Sequence, residues 1–96
     1  MQALTEFQFG DKEIRVVVDE TTGEPFWVAM DIAKVLDYSD TQAMTRRLEE
    51  YEVSTYTDNS SGQLRHIKIV NESGLYSAIL GSNTNHNQKL RNFALL

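Results

Sequence analysis

The chain has 96 residues, with 14 acidic and nine basic side chains, a formal charge of −5, 41% apolar residues and no cysteine. No apolar run approaches the about 20 consecutive residues that a helical membrane span needs, and the lack of cysteine excludes disulfides and thiolate metal sites. These features predict one soluble, intracellular domain without a secretory leader, and the total charge argues against a simple nucleic-acid binder, which ordinarily carries a basic footprint.

Leu4 to Phe9 and Glu13 to Val18 read as strands, with Gly10-Asp11-Lys12 as the turn of a hairpin. In the second run Ile14, Val16 and Val18 share one face, and Arg15 and Val17 the other. Asp19 to Glu24 is a polar loop broken by Gly23. Pro25 cannot donate a ladder hydrogen bond, so it opens a short third strand, Phe26-Trp27-Val28, without entering it. Ala29, Ile32, Ala33 and Leu36 then fall at i, i+3, i+4 and i+7, one face of a helix. Asp37-Tyr38-Ser39-Asp40 makes a polar corner, with Ser39 and Asp40 where an N-cap is needed. In the next helix Ala43, Met44 and Leu48 face inward, leaving Thr45, Arg46 and Arg47 mostly outside. Two short helices about a tight corner outline a helix-turn-helix reader, an outline that many helical hairpins share.

Glu49-Glu50-Tyr51-Glu52 is an acidic exit to a strand over Tyr51 to Thr57. Asp58 to Gly62 is a turn, and Gln63 to Val70 returns to form a second hairpin. Asn71 caps a following helix whose buried face is Leu75, Tyr76, Ile79 and Leu80, with Gly81 as its stop. After a polar connection over Ser82 to Asn87, Gln88 to Leu96 reads as a last helix, with Leu90, Phe93 and Ala94 inward and Lys89 and Arg91 outward. The uncapped, apolar Leu95-Leu96 end suggests the N-terminal part of a longer protein, or an edge that a partner covers. The expected fold is α+β: a small antiparallel sheet of two hairpins plus a short strand, packed with about four short helices, as a single domain over 1–96.

The charge is unevenly placed. Residues 1–60 hold 13 acids against five bases, whereas 61–96 hold Glu72 against Arg65, Lys68, Lys89 and Arg91, giving net charges of −8 and +3. Such asymmetry can make one face of an acidic molecule basic; ordinary solvated charge is the plainer account.

Three segments in fixed order resemble the Bro-N domain, the N-terminal module of baculovirus Bro proteins and of phage and prophage antirepressors. The first is Trp27-Val28-Ala29 with Asp31-Ile32-Ala33 and Leu36; the second is Tyr38-Ser39-Asp40 with Ala43 and Arg46-Arg47-Leu48. The third and closest is Ile69-Val70-Asn71-Glu72-Ser73-Gly74-Leu75-Tyr76 with Ile79-Leu80. A looser likeness runs through Lys89, Leu90, Arg91 and Phe93. The chain departs from the pattern at Asp37, where the family often has glycine, and at Gly81, Asn83 and Thr84, where it often has basic residues. The resemblance implies a small α+β module for DNA binding and phage gene regulation, encoded by a phage or prophage and working in the cytoplasm of a bacterial host.

The residues expected to meet DNA are Arg46 and Arg47, with Thr41, Gln42 and Thr45 as supporting contacts and Ser39 either a further one or a cap. Arginine in the major groove can pair bidentately with guanine or hold a phosphate. Against this stands a solvated pair balanced by Glu49 and Glu50. Arg65 and Lys68 are expected as phosphate contacts of a hairpin wing, although Arg65 points to one face of its strand and His66 and Lys68 to the other, so the three make no flat patch. Lys89 and Arg91 are further phosphate candidates. His66 and His86 stand far apart in sequence with no clustered carboxylate, so no metal or other cofactor is expected. Ser73 lies in N-E-S-G and has no recognisable base, so no enzyme is expected either. The partners implied are DNA or, as the alternative, a basic repressor protein that an acidic module would bind and neutralise. A homodimer is compatible with both, and a membrane with neither.

Overall fold

The computed structural model of the chain describes residues 4–9, 12–59 and 61–82, the first of these by its backbone. In order they form β1 (Leu4–Phe9), β2 (Lys12–Val18), β3 (Pro25–Val28), α1 (Ala29–Val35), α2 (Thr41–Thr45), a 3-10 turn (Glu50–Glu52), β4 (Val53–Asp58), β5 (Arg65–Val70) and α3 (Glu72–Leu80). The two expected hairpins, β1–β2 and β4–β5, join into one antiparallel sheet of order β1-β2-β3-β5-β4. The short third strand is the joint. Pro25, Phe26 and Trp27 pair with Val18, Val17 and Val16 on one side, and Trp27 and Val28 pair with Val70 and Ile69 on the other. The α+β class follows, with three α-helices and one 3-10 turn among the described residues. The helix expected over 88–96, with Lys89, Arg91 and Phe93, lies outside them.

Strand alternation decides which residues meet the helices. Ile14, Val16, Trp27 and Val70 face α1 and α3, packing with Ile32, Ala33, Leu36, Met44, Leu75, Ala78 and Ile79 in one buried core. Fully burying a Val, Leu, Ile or Met side chain is worth about 1.5–3 kcal/mol, so this layer holds most of the stability. The residues between them, Val17, Val28 and Ile69, form a smaller cluster on the opposite face, with Phe26, Tyr56 and Ile67 packed against it.

Several boundaries differ from the sequence reading for local reasons. Strand β4 begins at Val53, because Glu49 and Glu52 close a capping box around the 3-10 turn and hold Tyr51 in it. Strand β5 begins at Arg65, because the connecting turn extends further than its polar residues suggested. Leu80, expected inside, is 74% exposed. The buried stripe of α3 runs through Gly74, Leu75, Ala78 and Ile79, and a residue at about 100° per step beyond Ile79 turns out of it. Gly81 ends α3 with φ −83, an ordinary right-handed value. Its lack of a side chain serves packing: a Cβ there would sit 3.0 Å from the Tyr38 hydroxyl and 3.4 Å from Arg47 Cδ.

Candidate functional site

The corner between α1 and α2 is made by two aspartates. Asp37 adopts φ 59, a left-handed conformation that glycine takes freely and that Asp tolerates better than most residues. This accounts for the position where the Bro-N pattern carries glycine. Three residues on, Asp40 caps α2, its Oδ1 accepting from Ala43 N at 2.7 Å. Tyr38, between them, donates to the Ala78 carbonyl at 2.7 Å and so ties the corner to α3. Burial pushes the Tyr38 phenol above its ordinary pKa, and the neighbouring Arg47 guanidinium pulls it part of the way back.

Helix α2 is shorter than its pattern suggested. After Thr45 the bonds tighten, with Arg47 N to Met44 O at 3.1 Å and Leu48 N to Thr45 O at 3.0 Å, the i→i+3 type that closes a helix end. Arg46 is therefore the C-cap, and Arg47 lies in the turn beyond it. The chain turns here because Leu48 packs against the core and Glu49 starts the next capping box. Both arginines are exposed, and among the described residues neither forms an ion pair with Glu49, Glu50 or any other carboxylate. Gln42 is exposed too, while Thr45 is half-buried, its hydroxyl 3.5 Å from the Gln42 carbonyl.

The second cationic group gathers where the sheet is interrupted. Strand β3 stops at Val28 because the chain enters α1, yet β2 continues back to Lys12 and β5 back to Arg65. Arg15 N, past the end of the β3 ladder, donates to Asp31 Oδ2 at 2.9 Å. The same carboxylate takes the guanidinium in a fork, Nε at 2.8 Å and Nη2 at 2.9 Å. Asp31, which helix-dipole stabilisation alone would explain in the sequence, thus also fastens α1 to β2. Beside it opens a cleft of about 320 Å³, lined by Arg15, Val28, Met30, Thr41, Arg65, His66, Ile67 and Lys68. Arg65 pairs with Asp58 across the hairpin at 3.0 Å, and His66 Nδ1 lies 3.3 Å from Thr57 Oγ1. Lys68 is exposed and forms no ion pair among the described residues.

The structure therefore divides the expected contacts in two. Arg46 and Arg47 stand at the exit of α2, with Arg47 beside Tyr38 and Gly81. Arg65 and Lys68 line the cleft with Thr41 from the start of α2. Arg65, His66 and Lys68 alternate along β5 and make no flat patch, yet all three border the cleft that opens past the end of β3. Arg15 and Met30 carry no such signal in the sequence, Arg15 sitting on one face of a strand and Met30 in the first turn of a helix off its apolar stripe.

The N-E-S-G segment has a different task. Glu52 is only 3% exposed, and its carboxylate accepts from Ser73 Oγ at 2.5 Å, Ser77 Oγ at 2.9 Å and Glu49 N at 2.8 Å. Burial alone would raise its pKa; the bonds from Ser73, Glu49 N and Ser77 outweigh this and hold it below the ordinary glutamate value. Asn71 Oδ1 caps α3 by accepting from Gly74 N at 2.8 Å, while its amide donates to Tyr51 O at 3.2 Å. A Cβ on Gly74 would meet the Glu52 carbonyl oxygen at 2.8 Å. These residues clamp α3 to the 3-10 turn and leave Ser73 as a structural donor. Among the described residues no group of His, Asp or Glu could hold a metal ion, and no helix is long and apolar enough to cross a membrane.

The family model for the BRO family, N-terminal domain, matches residues 13–95. No curated protein and no solved structure matches the chain.

Proposed function

The chain belongs to the BRO family, as its N-terminal domain, and from that premise we propose that it is the DNA-binding module of a phage or prophage antirepressor-like regulator, working without a cofactor or catalysis in the cytoplasm of the host. The observation that carries this reading is the state of Arg46 and Arg47: exposed, adjacent and unpaired with carboxylates among the described residues, on a protein of net charge −5. With no carboxylate drawn against them among the described residues, their positive potential is not cancelled locally and is open to an anionic partner. Binding is chiefly electrostatic. Its log–log dependence on salt has a slope near −0.9 for each phosphate contacted.

Fluorescence anisotropy with a random-sequence duplex across a salt series tests the reading. Arg46→Ala with Arg47→Ala removes most of the binding at unchanged melting temperature; affinity indifferent to salt, or a double variant that binds as wild type, overturns it. A second reading, docking to a basic repressor, draws on the exposed acids Glu20, Glu24, Asp37, Glu49 and Glu50. Capture of a purified helix-turn-helix repressor by the chain in the absence of DNA favours it.

A further inference from the structure

We infer that the cleft between β2 and β5 is a nucleotide-sized seat for the DNA backbone, with the phosphate on Lys68 and Arg65 and the sugar against Met30 and Ile67. This rests on the DNA-binding reading and names a contact surface for it that is separate from the exit of α2. Three observations carry it. First, the cleft is built by the fold: β3 ends at Val28 while both neighbouring strands run on, so the walls are two strands standing on the order of 10 Å apart. Second, its lining is cationic on an acidic protein. Arg15, Arg65 and Lys68 face it, no acidic side chain does among the described residues, and the acids nearby, Asp31 and Asp58, are already held by Arg15 and Arg65. Third, the lining is amphipathic. Met30, 45% exposed, and the half-buried Ile67 supply apolar surface above the buried Val28.

That combination suits a phosphodiester strand, which alternates a charged phosphate with a largely apolar deoxyribose. A free inorganic anion would use the cations and leave the apolar wall wet. The volume of about 320 Å³ stands at the small end of ligand-sized pockets, enough for a single unit of the strand. Phosphate contacts of this kind set orientation and register, and sequence is read elsewhere. Arg15 and Arg65, each tied to a carboxylate, are held in place at the walls. Lys68 brings the uncompensated charge.

The test uses the same duplex anisotropy with three substitutions. Lys68→Ala makes the salt slope shallower by about one unit and lowers affinity about five- to tenfold at moderate salt. Thr41→Glu places a carboxylate in the cleft at the first residue of α2, where a helix start accommodates it, and costs at least about tenfold with the fold retained. Met30→Ala weakens binding about threefold and leaves the slope unchanged, the signature of an apolar contact. Amide shifts on adding duplex are expected at Met30, Thr41 and Lys68. If wild type binds DNA and the Arg46→Ala, Arg47→Ala variant loses it, while Lys68→Ala and Thr41→Glu bind as wild type, the cleft proposal fails and the DNA reading stands. If wild type binds no DNA at low ionic strength, both fail. A labelled poly-glutamate peptide then shows whether Thr41→Glu closes an acidic-peptide slot, which replaces the nucleotide seat.

Discussion

The clamp at Glu52 and the cleft at Lys68 lie at opposite ends of β5 and are built on opposite terms. Around the buried Glu52 carboxylate, Ser73, Ser77 and the Glu49 amide all donate to it, while Asn71 beside them bonds Gly74 N and Tyr51 O. Around the cleft, strands run past the end of β3, Lys68 has no carboxylate partner among the described residues, and Met30 and Thr41 border open space. The first arrangement has its polar groups spent on one another; the second is open and charged. The segment most diagnostic of the family belongs to the first region, so its close match reports how α3 is fixed, and binding is to be sought in the less distinctive residues.

The comparison breaks most visibly at Glu52. Glu52→Ala leaves two hydroxyls and an amide without their acceptor and is expected to cost about 3 kcal/mol, read as a lower urea midpoint, with duplex affinity unchanged wherever the protein is still folded. If affinity falls at the same time, the two regions are not separate. Gly74→Ala forces a Cβ against the Glu52 carbonyl oxygen, which backbone cannot yield easily, and is expected to cost about 1–2 kcal/mol after the better helix propensity of alanine is counted.

Acid sharpens the same contrast. Because the Glu52 pKa is held below its unfolded value, its contribution is complete above about pH 4.3, the ordinary glutamate value, and is lost as pH falls through the lower folded value. Urea midpoints measured from pH 6 downward should therefore decline on acidification, and less steeply in Glu52→Gln. The smallest effect is at the corner. Asp37→Gly relieves a left-handed aspartate and is expected to stabilise by about 0.5–1 kcal/mol, a rise of about 2–8 °C in melting temperature.

Much of this molecule was legible residue by residue. The caps at Asp40 and Asn71 follow from short polar side chains placed before apolar helical spacing. Both hairpins and the place of Pro25 at the start of β3 follow from alternation, turn residues and a missing amide hydrogen. The Bro-N likeness rested on three ordered segments, and the family match covers residues 13–95. The length of α2 was not legible: Arg46 and Arg47 continue its pattern, but Leu48 and the Glu49 capping box pull the chain away.

What the sequence alone determined, then, was the kind and order of most of the described elements and the uneven placing of charge along the chain, because periodicity, capping and turn chemistry act within a few positions. What only the tertiary structure decided was company. Arg15, Met30, Thr41 and Lys68 come to one cleft, and Glu52 receives Ser73 and Ser77 from a helix two strands later in the chain. Those meetings depend on where β3 runs out between two longer strands and on how α3 returns to the 3-10 turn, and both are set by pairing register between distant segments, which no local pattern encodes.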